Sequence, residues 1–178
     1  SLGKRFDLDG NEVFRGSTPM VARGVTDQHS LVQLFVEGPA DKQFLMLDAD
    51  LPSTLGTISD ESAQLHEDFN YLSGKSIEEL RVAELEGTVA ALQSAGRPVS
   101  VVRFEALDEA HLGAWILLMK VATVMAADHL KVDPFDQPGV EGGKAVAFAR
   151  MGKAGWRSRG EAIESGARSL KPAPAIRV

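Results

Sequence analysis

The chain has 178 residues, 44% hydrophobic and 25% charged, with a mean hydropathy of −0.07. Those are the proportions of an ordinary soluble globular protein, with a length that fits one domain able to bury a core without cross-links. Cysteine is absent, which excludes a disulfide framework, thiolate metal centres and a cysteine nucleophile. A net charge of −6 argues against a general nucleic-acid binder. The charge is uneven, +5 over residues 150–178 and −11 over residues 1–149. A basic tail therefore follows an acidic body, and it either lies on a partner or on that body, or is simply solvated.

The N-terminus has neither an apolar signal region nor an initiator Met, which reads as a processed or cut chain. Residues 4–15 read as a hairpin about Asp9-Gly10. A helix is expected from near Thr26, with Thr26 as N-cap, an apolar stripe of Leu31, Leu34 and Phe35, and Gly38-Pro39 as its stop. Phe44-Leu45-Met46-Leu47 has the continuous apolar pattern of a strand buried on both faces. A short helix is expected over residues 62–72. Ser76 and Glu79 form a capping box opening a helix along Val82, Leu85, Val89 and Leu92, closed by Gly96 and Pro98.

Residues 99–104 read as a second buried strand, and residues 108–130 as a long helix with acids first and His129 and Lys131 last. Its most apolar part, residues 114–127, is interrupted by Lys120 and falls short of the roughly 20 residues that cross a bilayer, so it reads as a buried helix. Pro138 suits the first position of a helix to about Arg150. Strand, helix and strand in that order predict an α/β fold with a parallel sheet covered by helices. Two strands are few for this length, so either strands are hidden in the remainder or the rest of the sheet lies outside the chain.

Metal and nucleophile patterns fail. His29, His66, His111 and His129 have no mutual ligand spacing, and Pro138 and Ala145 stand where a phosphate loop ending at Lys144 would need Gly and Ser or Thr. No metal and no cofactor is expected. Two stretches carry more. His29 falls in the first turn of its helix, where the positive helix end disfavours an imidazolium and suits a neutral, proton-exchanging ring. An ordinary hydrogen-bonding histidine fits the same position. Gln137 and Lys144 lie seven residues apart, on one side of a helix, and a lysine leaning toward the N-terminus can reach back toward Gln137. Glycines 139, 142 and 143 each cost helix propensity of about 1 kcal/mol relative to Ala. They leave room for a ligand such as a phosphate, or for a tight helix contact beneath an exposed lysine.

Gly24-Val-Thr-Asp-Gln-His29-Ser30 and Asp133-Pro-Phe-Asp-Gln-Pro-Gly-Val-Glu-Gly-Gly-Lys144 resemble the C-terminal signature regions of the phosphoglucose isomerase (glucose-6-phosphate isomerase) family. Supporting similarity runs from Ser1-Leu-Gly-Lys4 through Val32-Gln-Leu-Phe-Val-Glu-Gly-Pro39 and Asp108-Glu-Ala-His-Leu-Gly-Ala114 to about Arg150. The resemblance covers most of this chain and only part of the family's length. It implies interconversion of glucose 6-phosphate and fructose 6-phosphate by ring opening and proton transfer through an enediol.

By motif, His29 matches the histidine that assists ring opening, Lys144 the lysine of the same site, and Gln137 a glutamine near the substrate's phosphate end. The resemblance also implies a three-layer αβα sandwich of the sugar-isomerase type, incomplete at its N-terminus. Residues 1–150 would form the partial domain and residues 151–178 a basic tail or arm. It implies a cytoplasmic enzyme of glycolysis and gluconeogenesis, a homodimer in full length, with a phosphorylated hexose as substrate and neither nucleic acid nor membrane as partner.

The family's base is a glutamate that would stand just before Ser1, and its phosphate-binding Ser/Thr cluster and enediolate-stabilising arginine belong to upstream sequence. The chain by itself is therefore expected to be inactive. The alternatives are a non-catalytic phosphosugar-binding domain and the isomerase end of a fused transaldolase–isomerase. Trp156 beside Arg157 and Arg159 suits either an interface anchor or an internal packing role.

Overall fold

Two short sheets and six α-helices are built by residues 2–51 and 55–168, the residues that the computed structural model describes. They fall into two units, residues 1–18 with 118–178, and residues 19–117.

The first unit opens on the expected hairpin, β1 (Lys4–Phe6) antiparallel to β2 (Glu12–Arg15). Its turn is wider than a two-residue Asp-Gly loop. The Asp7 carboxylate accepts the backbone N–H groups of Asp9 at 3.0 Å and Asn11 at 2.8 Å, and Gly10 takes φ +84°. The long helix α4 (Glu109–Leu130) ends in this unit with a Schellman motif. Val132 N–H donates to Ala127 O at 2.9 Å, Lys131 N–H donates to Asp128 O at 3.0 Å, and Lys131 takes φ +55°. Ala127 and Val132, the hydrophobic pair of that motif, are both buried.

Helix α5 (Pro138–Arg150) starts at Pro138 as expected, and α6 (Arg157–Arg168) packs on it from within the stretch expected as a tail. The closest approach is at Gly160, where a Cβ would lie 2.4 Å from Ala149 Cβ. Trp156 meets Phe148 edge-on with ring centroids 5.0 Å apart, and Lys153 Nζ sits 3.9 Å above the Phe148 ring. Of the two roles open to Trp156, internal packing is therefore the one seen. Residues 169–178, the rest of the basic tail, lie outside the described residues.

The second unit holds α1 (Gln28–Glu37), β3 (Phe44–Ala49), α2 (Asp60–Ala63), a 3₁₀ helix (Glu67–Leu72), α3 (Ile77–Ser94) and β4 (Val99–Phe104). β3 and β4 are parallel and in register from Phe44↔Val99 to Ala49↔Phe104, which gives the α/β class with α3 as the crossover. The Ser76–Glu79 capping box is present, and Val82, Leu85, Val89 and Leu92 turn inward, Leu92 completely. Arg97, just before β4, donates to Phe35 O at 2.9 Å and to Val36 O and Gly38 O at 2.7 Å each. A distant guanidinium thus caps α1, which has no basic residue in its own last turn.

Five expectations need correction. Helix α1 is capped by Asp27 rather than Thr26, because the turn over residues 23–27 closes on the Asp27 carboxylate. Its inward stripe is Leu31, Val32, Phe35 and Val36, while Leu34 is exposed. The single helix over residues 62–72 is instead α2 and a 3₁₀ helix, each capped by its own residue, Ser59 and His66.

Finally, neither strand is buried on both faces, and α4 is not a buried helix. Leu45, Leu47 and Val101 stand 43–51% exposed, and along α4 only Ala127 is buried. Two strands offer too little surface to cover a 22-residue apolar helix. By length and composition alone α4 could cross a membrane, unlike the 14-residue stretch read from the sequence.

Candidate functional site

The charged centre of the second unit is Asp48, near the C-terminal end of β3 and only 1% exposed in its side chain. Its carboxylate is paired with Arg81 of α3 and, at 3.0 Å, with Arg103 of β4. Arg81 also reaches Ala49 O at 3.1 Å and is gripped by Glu78 at 2.6 and 2.7 Å. Burial works against ionisation of Asp48, but the hydrogen bonds and charge of Arg81, then of Arg103, outweigh it and hold the carboxyl below its ordinary value. Glu78 first and Asp48 next hold Arg81 more firmly protonated. With two acids answering two bases, this cluster is a fastening of α3 to the sheet.

His29 is the second residue of α1, exposed, in the same unit. The turn before it is tightly built. Arg23 N–H donates to Asp27 Oδ2 at 2.7 Å, Asp27 N–H donates to Arg23 O at 3.0 Å, and between them Val25 takes φ +63°. A β-branched residue in the left-handed region is strained, and the Asp27 bonds hold it there. The next residue is tied as well, since Ser30 Oγ donates to Asp27 O at 3.1 Å. His29 thus presents its ring to solvent from a tightly fixed helix start.

Gln137 and Lys144 belong to the other unit. Gln137 is the N-cap residue of α5, exposed, with Val140 N–H donating to its carbonyl at 3.1 Å. Lys144, also exposed, meets Glu141 three residues before it on α5, Nζ to Oε1 at 2.8 Å. That contact, and then the charge of Arg159, hold the Glu141 carboxyl below its ordinary value. Among the described residues, apart from chain neighbours and the backbone of α5 itself, no atom lies within 4 Å of where a Cβ would stand on Gly139, Gly142 or Gly143. The small residues at the head of α5 therefore face open space, room for an anion at a helix N-terminus beside an ammonium.

Two neighbours escaped the sequence reading. Glu141 was legible in principle, because a carboxylate three residues before a lysine shares its helix face. Lys4 was not. Its side chain is 6% exposed, with Nζ 2.7 Å from the carbonyl oxygen of Asp136 and 3.0 Å from Asp136 Oδ1, and nothing local in Gly-Lys-Arg announces a partner 132 residues away. Among the described residues, no group of three or more His, Asp or Glu could hold a metal ion.

No family model matches the chain. It is similar to glucose-6-phosphate isomerase of Carboxydothermus hydrogenoformans, 36% identical over 163 residues that make 92% of this chain and 35% of the relative. It is likewise similar to glucose-6-phosphate isomerase of Rubrobacter xylanophilus, 42% identical over 159 residues, 89% of this chain and 34% of the relative. Among solved structures, a hypothetical protein from Thermus thermophilus superposes with a TM-score of 0.75 at 35% identity, over 85% of this chain and 35% of the other. The chain thus spans about a third of the length of the relatives it matches. Over that span the similarity is to the C-terminal third of the glucose-6-phosphate isomerases.

Proposed function

We propose that the chain is the C-terminal part of an aldose–ketose isomerase that interconverts glucose 6-phosphate and fructose 6-phosphate through an enediol. The observation that carries the reading is the head of α5. There Gln137 caps the helix, and an open glycine face and Lys144 follow within its first two turns, in a stretch that resembles a signature region of the isomerase family. An anionic substrate gains from the helix dipole, the amide and the ammonium together. His29 supplies an exposed imidazole, the kind of group that acts as general acid or base in opening a cyclic sugar. By the family resemblance, the residue that moves the C2 proton is a glutamate, and neither His29 nor Lys144 takes that role.

In the complete enzyme, β3 and β4 are part of a wider parallel sheet in a three-layer αβα sandwich of the sugar-isomerase type, formed from residues 1–150 with upstream sequence. That sandwich covers the exposed faces of the strands and of α4, which is then a core helix and not a membrane span. The enzyme is a cytoplasmic homodimer.

The test uses the full-length enzyme with glucose 6-phosphate, its product oxidation or reduction followed in a coupled assay. Lys144→Ala is expected to raise KM and lower kcat. His29→Ala is expected to slow turnover of the closed-ring sugar by about 10²-fold or more, the usual scale of a lost acid–base group. Wild-type rates in both variants would leave a chain that is related to isomerases and does no isomerisation through this site.

A further inference from the structure

An ammonium is costly to bury unless oxygen atoms replace its water, and Lys4 of β1 is buried nonetheless. Asp136 supplies two of those oxygens, its carbonyl at 2.7 Å and its carboxylate at 3.0 Å. Asp136 immediately precedes Gln137, and Gln137 begins α5. The same hairpin holds the same loop elsewhere. Leu8 N–H donates to Lys131 O at 2.8 Å, and Arg15 Nη1 donates to Leu130 O at 3.0 Å. Those bonds fix where the loop leaves α4, whereas Lys4 fixes where it enters α5. Packing alone does not explain a lysine there, since a hydrophobic side chain of similar length serves a buried position as well or better.

We infer that Lys4 is a positioning residue for substrate binding. By clamping Asp136 it sets the placement of Gln137 and the first turn of α5 relative to β1. The inference rests on the proposed reading of Gln137 as a residue at the phosphate end of the substrate. Lys4 itself touches no substrate and acts through Gln137.

The experiment measures KM and kcat for glucose 6-phosphate in the full-length enzyme carrying Lys4→Met, Gln137→Ala, or both. The Asp136 carboxylate is 57% exposed, so it remains solvated when Lys4 is replaced, and the Lys4→Met enzyme is expected to fold. Expected are an increase in KM of about tenfold for each single variant, a kcat within about threefold of wild type, and a double variant no worse than Gln137→Ala.

A raised KM in Gln137→Ala with an unchanged KM in Lys4→Met overturns the inference and leaves the reading of Gln137 standing. Increases that multiply in the double variant overturn it too, because Lys4 would then act independently of Gln137. An unchanged KM in Gln137→Ala removes the reading of Gln137, and the inference with it. If Lys4→Met does not fold, Asp136→Ala removes the carboxylate half of the clamp from an exposed position. A raised KM in that variant supports the inference, and an unchanged KM overturns it.

Discussion

The side-chain amide of Gln28 donates to Thr88 Oγ1 at 2.8 Å, and so pins the residue before His29 to the middle of α3. Thr88 in turn donates to Glu84 O at 2.8 Å, which fixes its hydroxyl. Thr88→Val keeps the shape and deletes the acceptor. It is expected to destabilise the protein by about 1 kcal/mol in urea denaturation, the usual net worth of such a bond. In the full-length enzyme it should also slow turnover of the closed-ring substrate. Destabilisation with unaltered turnover would show that His29 holds its place without α3.

Arg97 tests whether one distant guanidinium is the cap of α1. Arg97→Ala leaves the carbonyls of Phe35, Val36 and Gly38 without their donor, and should cost about 2 kcal/mol, the scale of hydrogen bonds to a charged group. Arg97→Lys should recover less than half of this, because an ammonium cannot reproduce the planar fork. Equilibrium unfolding of both variants decides it, and full recovery by lysine would reduce the role to charge alone.

Asp48 makes a prediction in pH. Its carboxyl is held below its ordinary value of 3.8 in the folded chain. Its contribution to stability is therefore complete above that value and is lost as pH falls through the depressed folded value. Asp48→Asn should cost about 3 kcal/mol at neutral pH, at the low end for breaking a buried pair, because Arg81 and Arg103 keep side-chain exposures of 25% and 53%. The variant should also show a shallower loss of stability on acidification below about pH 4, read by denaturant titration across that range. An unchanged acid slope would assign the acid sensitivity to other carboxylates.

His29 bears on assembly. If the full-length enzyme is a homodimer that shares sites, His29 serves the neighbouring subunit. Mixing a His29→Ala enzyme with one that lacks its proton-abstracting glutamate then yields heterodimers with one working site each. The expected outcome is recovery of activity from two inactive parents, with heterodimers counted by native mass spectrometry. Heterodimers without activity would place His29 in its own subunit.

What could be read from the sequence was whatever local chemistry decides. The Ser76–Glu79 capping box, the start of α5 at Pro138 and the identity of both strands all rest on residues within one or two turns of each other. Exposure was misread for β3, β4 and α4, because an apolar pattern records what a segment is suited to bury against and not what is present to cover it. The N-cap of α1 was missed by one residue, since Asp27 bonds to Arg23 N–H and makes no side-chain bond into the helix. Lys4 with Asp136 and Arg97 with the end of α1 were illegible for a common reason. Their partners stand about 60 to 130 residues away, where no periodicity links them.

The parallel register of β3 and β4 has a cost in time as well. Phe44 pairs with Val99 and Ala49 with Phe104, so every rung joins residues 55 apart. Closing a flexible loop of that length costs about 3.5 kcal/mol of chain entropy plus a constant, before any rung repays it. Helix α3 lies inside the loop, and its capping box lets its 18 residues form locally and shorten the distance to be searched. Refolding of residues 19–117 should therefore be governed by how early α3 forms, and a Ser76→Ala change should slow refolding in a stopped-flow trace more than it speeds unfolding.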